Sequence, residues 1–462
     1  MRAIDELAAF TAGHLEGGLP TSTREACSLL VTDLIGATAA GLDSQLAKAT
    51  RAAAKQIYGP GPARIWLTGA TLSIAGAAMA NAAAASALDI DDGHRGAAGH
   101  LGAAIIPAAL AVGQALNAPD ERIFDAIALG YDVTLRVGAA CPDLTIENYC
   151  SGSWVSYGVA AAAGRLLRLD APALAHAMAI AGAEGPIGLP TGSTKYPGSS
   201  AKEAIPPAVV TGLTSAFRAL AGEIGPLDLL DRDDRFTRSV LTGGLGERWW
   251  LQDCYLKPYA CCRYIHAAVD AILALRQPGK PIVSLRVETF PRGLGLANQR
   301  VPQTLEGGQY SYYLSCALAA LHGAAALQPV DPARLRDPEV LALAARIELV
   351  AHEDFVASFP EATPCRVILD QGEGPQSLTV LYPLGDAANP MDRAQVTEKF
   401  RRIGAASVDA AWQDVILSAL DGLTVGGFRP LFAALGAQQF RLRQSSTRRR
   451  NSGASRVPRG PR

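Results

Sequence analysis

Three carboxylates and two imidazoles fall within twelve residues of the segment ALDIDDGHRGAAGH, residues 87–100: Asp89, Asp91, Asp92, His94 and His100. The text on either side is apolar, so these charges lie between two helices bound for the interior. An ionised group there is costly unless it is paired or put to use. Paired carboxylates and imidazoles suit general acid/base work, because imidazole titrates near neutral pH. They also suit Zn, Mn or Fe, although the segment lacks HExxH or any other closed ligand spacing. A plainer reading has the aspartates capping helices and pairing with Arg95.

Two further segments carry cations. GPIGLPTGSTKYPGSSAKEA, residues 185–204, crowds glycine and proline around Lys195 just ahead of a helix. Backbone N–H groups, hydroxyls and an ammonium converging in this way suit a carboxylate or phosphate. The segment does not match the nucleotide-binding GxxxxGK[ST] pattern, and a solvated lysine on a surface loop is the alternative. LKPYACCRYIHAAVDAI, residues 256–272, sets Lys257, Arg263 and His266 before and within a helix start, where paired cations could hold a di- or tricarboxylate. Its thiols, Cys261 and Cys262, read as core residues. Tyr149 precedes a helix start, and Tyr310, Tyr312 and Tyr313 cluster in GGQYSYYLSCALAAL; helical tyrosines are usually core residues with a bonded hydroxyl.

The elements that must position these groups are mostly helices. Helical spacing of apolar residues predicts helices over 22–41, 74–88, 102–117 (kinked at Pro107), 121–139, 153–168, 171–183 and 201–221. Asp170 and Pro172 supply a cap and a first turn. After about residue 280 the period changes to two. Val283, Leu285 and Val287 alternate with polar residues, as do Ile347 and Leu349, and Arg366–Asp370 and Ser377–Tyr382 read as a hairpin about QGEGPQ. Helices over 309–324 and 332–345 intervene, and helices return at 393–404 and 407–421.

Composition bounds the rest. Of 462 residues, 49% are hydrophobic and 18% charged, enough for a substantial core, and aromatics at 6% with abundant alanine favour close-packed helices. A net charge of -1 gives no global reason to bind nucleic acid or a membrane. Residues 441–462 read as a disordered arginine-rich tail; a nucleic-acid arm would want stacking aromatics, and none follows Phe440. Eight cysteines without a CxxC pair, and a start (MRAIDELAAF) unlike a secretory leader, point to reduced thiols in a cytoplasmic protein. Residues 65–88 are uncharged and long enough to span a bilayer, but their small side chains read as a buried helix.

ALDIDDGH, STKYPGSSAKEA, KPYACCRYIHAAVDA and QYSYYLSCALA, in that order, resemble the MmgE/PrpD family, and the resemblance runs from about residue 5 to about 435. It implies a mainly α protein: a large all-helical domain formed by both chain ends (1–253 and 391–440) with a smaller α+β lid (254–390) inserted. It also implies a homodimer, no metal or organic cofactor, and a pocket for a small di- or tricarboxylate. Matched by position, Asp89 and His100 fall on the family's pocket aspartate and histidine, and Lys195 on its loop lysine. Lys257 and His266 fall on the lysine and histidine at the lid boundary, and Tyr313, with a one-residue gap, on a pocket tyrosine.

Departures from the family pattern include Gly93 in place of a threonine, Tyr149-Cys150 in place of His-Pro, and Leu101-Gly102 in place of Pro-Ser. The lysine loop is also shorter than usual and lacks its histidine. In cis-aconitate decarboxylases of the family, the histidine that Tyr149 replaces belongs to the pocket. The expected activity is that of a lyase moving a proton next to a carboxylate, most like 2-methylcitrate dehydratase, with cis-aconitate decarboxylation, epimerisation or carboxylate binding without catalysis as alternatives. In that scheme His100 is the acid/base, oriented by Asp89. Lys195, Lys257 and Arg263 hold carboxylates, Tyr149 or Tyr313 is a second proton donor, and Asp91, His94 and His266 complete the pocket.

Overall fold

Small side chains let helices approach closely, and the computed structural model shows what the alanine- and glycine-rich text builds. It describes residues 1–13, 18–97, 99–141, 150–186, 194, 196 and 198–437; Tyr149, Lys195 and the 441–462 stretch lie outside them. Helices run over Thr21–Gly41, Gln45–Ile57, Ile74–Ser86, Gly102–Ala115, Asp120–Ala139, Gly152–Leu167, Ala171–Ala183 and Ile205–Leu220. Side-chain caps set several starts: Ser44 accepts from the Ala47 N–H, Ser73 from Gly76 and Asp170 from Ala173. Arg393–Gly404 and Ala410–Asp421 return to the same bundle, so residues as distant as Leu34, Phe400 and Phe428 share one core.

A second core belongs to the α+β part, which makes the chain mainly α with an inserted sheet. Strand Ser284–Thr289 pairs parallel with Glu348–Ala351 and antiparallel with Cys365–Asp370, which in turn pairs with Pro375–Val380. Val287 and Val367 face each other across the middle pair and pack with Ile272 and Leu318 of the covering helices. The hairpin turn is tighter than QGEGPQ suggested, because Gly372 and Gly374 both take left-handed φ and strand pairing resumes at Pro375. A short hairpin, Ala63–Ile65 with Ala70–Leu72, was not anticipated by the periodicity. The uncharged stretch 65–88 yields the buried helix Ile74–Ser86, and among the described residues no single helix is long and apolar enough to cross a membrane.

Two predicted helices are interrupted, and both breaks matter for the site. The helix expected over 201–221 begins only at Ile205, because Glu203 and Ala204 both adopt left-handed φ and prolines occupy its first turn. The helix expected over 309–324 divides into Leu305–Gln309 and Tyr312–His322, with Ser311 capping the second part at the Leu314 N–H.

One close approach fixes the bundle near the site. A Cβ at Gly158 would overlap the Thr134 hydroxyl and the Gly130 carbonyl on the neighbouring helix. Gly158→Ala should therefore force helices Asp120–Ala139 and Gly152–Leu167 apart and destabilise the fold by about 1–3 kcal/mol. Urea unfolding of the variant measures this; an unchanged midpoint would show that the crossing can relax at no cost.

Candidate active site

The loop between helices Ile74–Ser86 and Gly102–Ala115 carries the acidic cluster, and three ties hold it in place. Lys399, from the returning C-terminal helix, donates to the Ile90 carbonyl at 2.7 Å and to Asp33 at 2.5 Å. Gly93 and Tyr255 exchange backbone hydrogen bonds at 3.1 and 2.8 Å, which draws the chain leading to Lys257 alongside. The backbone N–H of His100 donates to the Ser151 hydroxyl at 3.2 Å. Asp89 itself sits at φ 55, a left-handed conformation that costs a non-glycine residue energy and is most often retained at functional sites. Gly93 belongs to this packing, since a Cβ there would stand 2.5 Å from the Tyr255 hydroxyl. A threonine at this position would need Tyr255 to move.

The His100 ring lies between carboxylates on both edges. Its Nδ1 is 3.0 Å from both oxygens of Asp91, and its Nε2 is 2.9 Å from Asp89 Oδ1. That Asp89 oxygen also accepts from Lys257 at 2.8 Å and Lys202 at 3.0 Å. All five side chains are buried. Burial works against a charged imidazole, as does Lys257, but Asp91, Glu203 and Asp89 together outweigh them, and His100 is pushed up to about 9. Burial likewise opposes the Asp89 carboxylate, yet Lys202, Lys257 and His100 hold it well below its usual range. Asp91 is lowered in the same way by His100 and Lys257. Burial also opposes both ammonium groups, and their carboxylate neighbours raise Lys202 and Lys257. At neutral pH His100 is therefore an imidazolium with a donor on each nitrogen.

Asp89, Asp91 and His100 also come close enough to ligate one ion. A cation already occupies the ground between them: the Lys257 ammonium is 2.8 Å from Asp89, 4.0 Å from Asp91 and 3.4 Å from His100 Nδ1. An ion would have to displace it and deprotonate the ring, so the side chains fit acid chemistry better than metal binding.

Asp92 faces away from this cluster. It accepts from the Tyr131 hydroxyl at 3.0 Å, and burial beside Asp91 and Asp33 pushes it up to about 7.

Four residues singled out from the sequence thus come together: Asp89, Asp91, His100 and Lys257. The other described candidates bond elsewhere. His94 packs against the Trp250 ring, its Nδ1 accepts from the Ala97 N–H, and burial lowers it to about 4, so it is neutral. Arg263 is buried and spans to the carbonyls of Leu256, Pro383 and Leu384 and to Asp386, tying two segments of the fold. His266 lies against Tyr259 with its ring nitrogens facing the Cys261 carbonyl and Arg263, and burial holds it well below its usual value. Tyr313 carries the Arg300 guanidinium 3.6 Å over its ring.

In their place the structure supplies residues that sequence reasoning passed over. Lys202 Nζ donates to the Tyr310 hydroxyl at 2.7 Å as well as to Asp89, and Tyr310 donates to Glu203 at 3.1 Å. The Ser151 hydroxyl donates to the other Glu203 oxygen at 2.6 Å. The available signal was the adjacent pair Lys202-Glu203, the only charges between Lys195 and Arg218, directly ahead of an apolar helix.

Residues 5–247 match the MmgE/PrpD N-terminal domain, and residues 259–422 match the MmgE/PrpD C-terminal domain. A cis-aconitate decarboxylase of Aspergillus terreus (strain NIH 2624 / FGSC A1156) is 24% identical over 448 residues, covering 88% of this chain and 90% of its own. A second cis-aconitate decarboxylase from Aspergillus terreus is 24% identical over 449 residues, with the same coverage of 88% and 90%. The cis-aconitate decarboxylase-like protein oryM of Aspergillus oryzae is 22% identical over 372 residues, 72% of this chain and 76% of its own.

Proposed function

The chain belongs to the MmgE/PrpD family, and from that premise we propose that it is a lyase that removes CO₂ from a small unsaturated tricarboxylate, with His100 protonating the carbon left behind. One observation carries the reading: both nitrogens of a buried imidazole face carboxylates, so the ring is charged and poised to give a proton. In the reaction the bond to the departing carboxylate breaks and its electron pair stays on the substrate. That charge spreads toward a neighbouring carboxylate, and a ring proton of His100 then moves to carbon. Lys202 and Lys257 hold the retained carboxylates and stabilise the charge as it develops.

Dehydration, the branch favoured from sequence, also needs a base strong enough to take a proton from carbon. Asp89 Oδ2, which has no hydrogen-bond partner among the described residues, is the available group. Its carboxylate is held well below the usual range and is correspondingly a weak base. Decarboxylation needs only the proton-donating half, and the names of the Aspergillus relatives support the same branch.

Proton NMR in D₂O with cis-aconitate, 2-methylcitrate, citrate and iminodisuccinate tests the proposal. The expected result is loss of cis-aconitate with CO₂ release and one deuterium at the newly protonated carbon. Dehydration of 2-methylcitrate without CO₂ release would overturn the branch. No reaction of any acid with folded protein would overturn the lyase assignment.

A further inference from the structure

A small tricarboxylate brings negative charge into the site, and the cluster around His100 has no positive charge to spare for it. Lys202, Lys257 and His100 already face the three carboxylates of Asp89, Asp91 and Glu203. A further anion entering such a place needs further cations, because burial penalises unmatched charge. Arg95, Arg263 and Arg300 are committed elsewhere: the first two share Asp386, and Arg300 donates to the Ala344 and Ile347 carbonyls. Arg292, just past the central strand Ser284–Thr289, pairs with no acid among the described residues, and its Nε is buried without a hydrogen-bond partner.

Resting on the tricarboxylate reading above, we propose that Arg292 is a substrate-binding residue that shares the retained carboxylates with Lys202 and Lys257, gripping the one that faces the α+β part. Its guanidinium is held by its face rather than by its donors, 4.6 Å over the Phe359 ring. Phe359 stacks on Phe290 at 5.6 Å, and both rings stand edge-on to Tyr264, at 5.7 and 5.1 Å. This aromatic frame orients the planar fork and leaves its N–H groups for a ligand. A guanidinium so presented matches a carboxylate through two parallel hydrogen bonds.

Cys262 and Tyr264 connect this frame to the acidic cluster. The Cys262 N–H donates to the Gln309 carbonyl at 2.8 Å, next to the Tyr310 whose hydroxyl receives Lys202. The Tyr264 carbonyl accepts from the Tyr312 hydroxyl at 2.6 Å. Both side chains are only half-buried, yet burial pushes the Cys262 thiol up to about 12, with Asp89 adding to this and Lys257 and Lys202 opposing it. Burial raises the Tyr264 phenol as well; the Arg292 charge opposes this, while Cys262, Tyr255 and Glu203 add to it. Side chains that keep accessible surface while losing hydration line a narrow cleft. Its wall runs from the two lysines past Cys262 and Tyr264 to Arg292, so a substrate lying along it meets cations at both ends.

Arg292→Met tests the assignment by steady-state kinetics with cis-aconitate and by calorimetric binding of tricarballylate, a tricarboxylate without the double bond. A carboxylate held alike in the ground state and the transition state contributes to KM rather than to kcat. KM should rise, and tricarballylate affinity fall, by ~10–10²-fold, the weight of a hydrogen bond between charged groups. Any fall in kcat should be smaller than the rise in KM.

Unchanged KM and unchanged tricarballylate affinity overturn the assignment. So does a loss that falls mainly on kcat, which would place Arg292 with the groups that support His100 rather than with the substrate. If Arg292→Met does not fold, Arg292→Gln replaces it under the same expectations. A wild-type protein that neither turns over cis-aconitate nor binds tricarballylate would instead overturn the tricarboxylate reading, and this assignment with it, which keeps the two failures distinct.

Discussion

His100→Asn is expected to lower kcat by ~10²–10⁴-fold, the usual weight of a positioned general acid. The effect should fall on kcat more than on KM, because Lys202 and Lys257, the substrate ligands of the proposal, remain. The wild-type pH profile should have a matching signature. An imidazole pushed up to about 9 stays charged through neutrality, so kcat should be level there and fall as pH rises through about 9. A histidine acting as a base from its ordinary value would give the reverse, a rate that rises with pH through about 6.5.

Stability follows the same linkage. The folded-state value lies above the unfolded value of 6.5, so the contribution of His100 is fully present below that pH and is lost as pH rises through about 9. The loss is on the order of 3 kcal/mol, as the rise from 6.5 to about 9 implies. Urea unfolding at several pH values should show this decline in wild type and not in His100→Asn. A kcat within twofold of wild type in the variant would remove His100 from the chemistry.

Lys257→Met is the second change with a large expected effect. It deletes the ammonium 2.8 Å from Asp89 and 4.0 Å from Asp91, leaving two buried carboxylates short of one cation. Breaking a buried pair from one side commonly costs about 3–5 kcal/mol, and the lower end applies here because Lys202 and His100 still face Asp89. Turnover should fall by ~10²–10³-fold, as when one charge-stabilising donor is removed. Because Lys257 works against the charged form of His100, its loss should move the alkaline limb of any residual activity upward from about 9. Circular dichroism during urea unfolding and the kcat profile test the two parts separately. A Lys257→Met enzyme with wild-type stability and rate would show that its ammonium is neither a counter-ion nor a substrate ligand.

The sequence by itself determined the helical bundle and the acidic core of the site. Apolar periodicity placed Asp120–Ala139, Ala171–Ala183 and Arg393–Gly404 within a residue of where they lie, because each helix has a continuous buried face and a clear start. Asp89, Asp91 and His100 could be picked out because charge in so apolar a stretch demands a partner, and Lys257 through its place in a recognisable motif.

Tertiary structure alone decided which other groups complete the cluster. Lys202, Glu203 and Tyr310 sit in breaks within segments that periodicity reads as unbroken helix, and left-handed backbone at Glu203 and Ala204 turns the first two inward. The balance of paired burial is equally invisible in the sequence. Arg263 and His266 carry the same chemistry as Lys257 and His100, yet Arg263 bonds backbone carbonyls and Asp386 while the His266 ring faces the Cys261 carbonyl and Arg263, away from the acidic cluster. Whether a buried ionisable group performs chemistry or holds the chain depends on which atoms meet it in space, and local sequence pattern does not contain those distances.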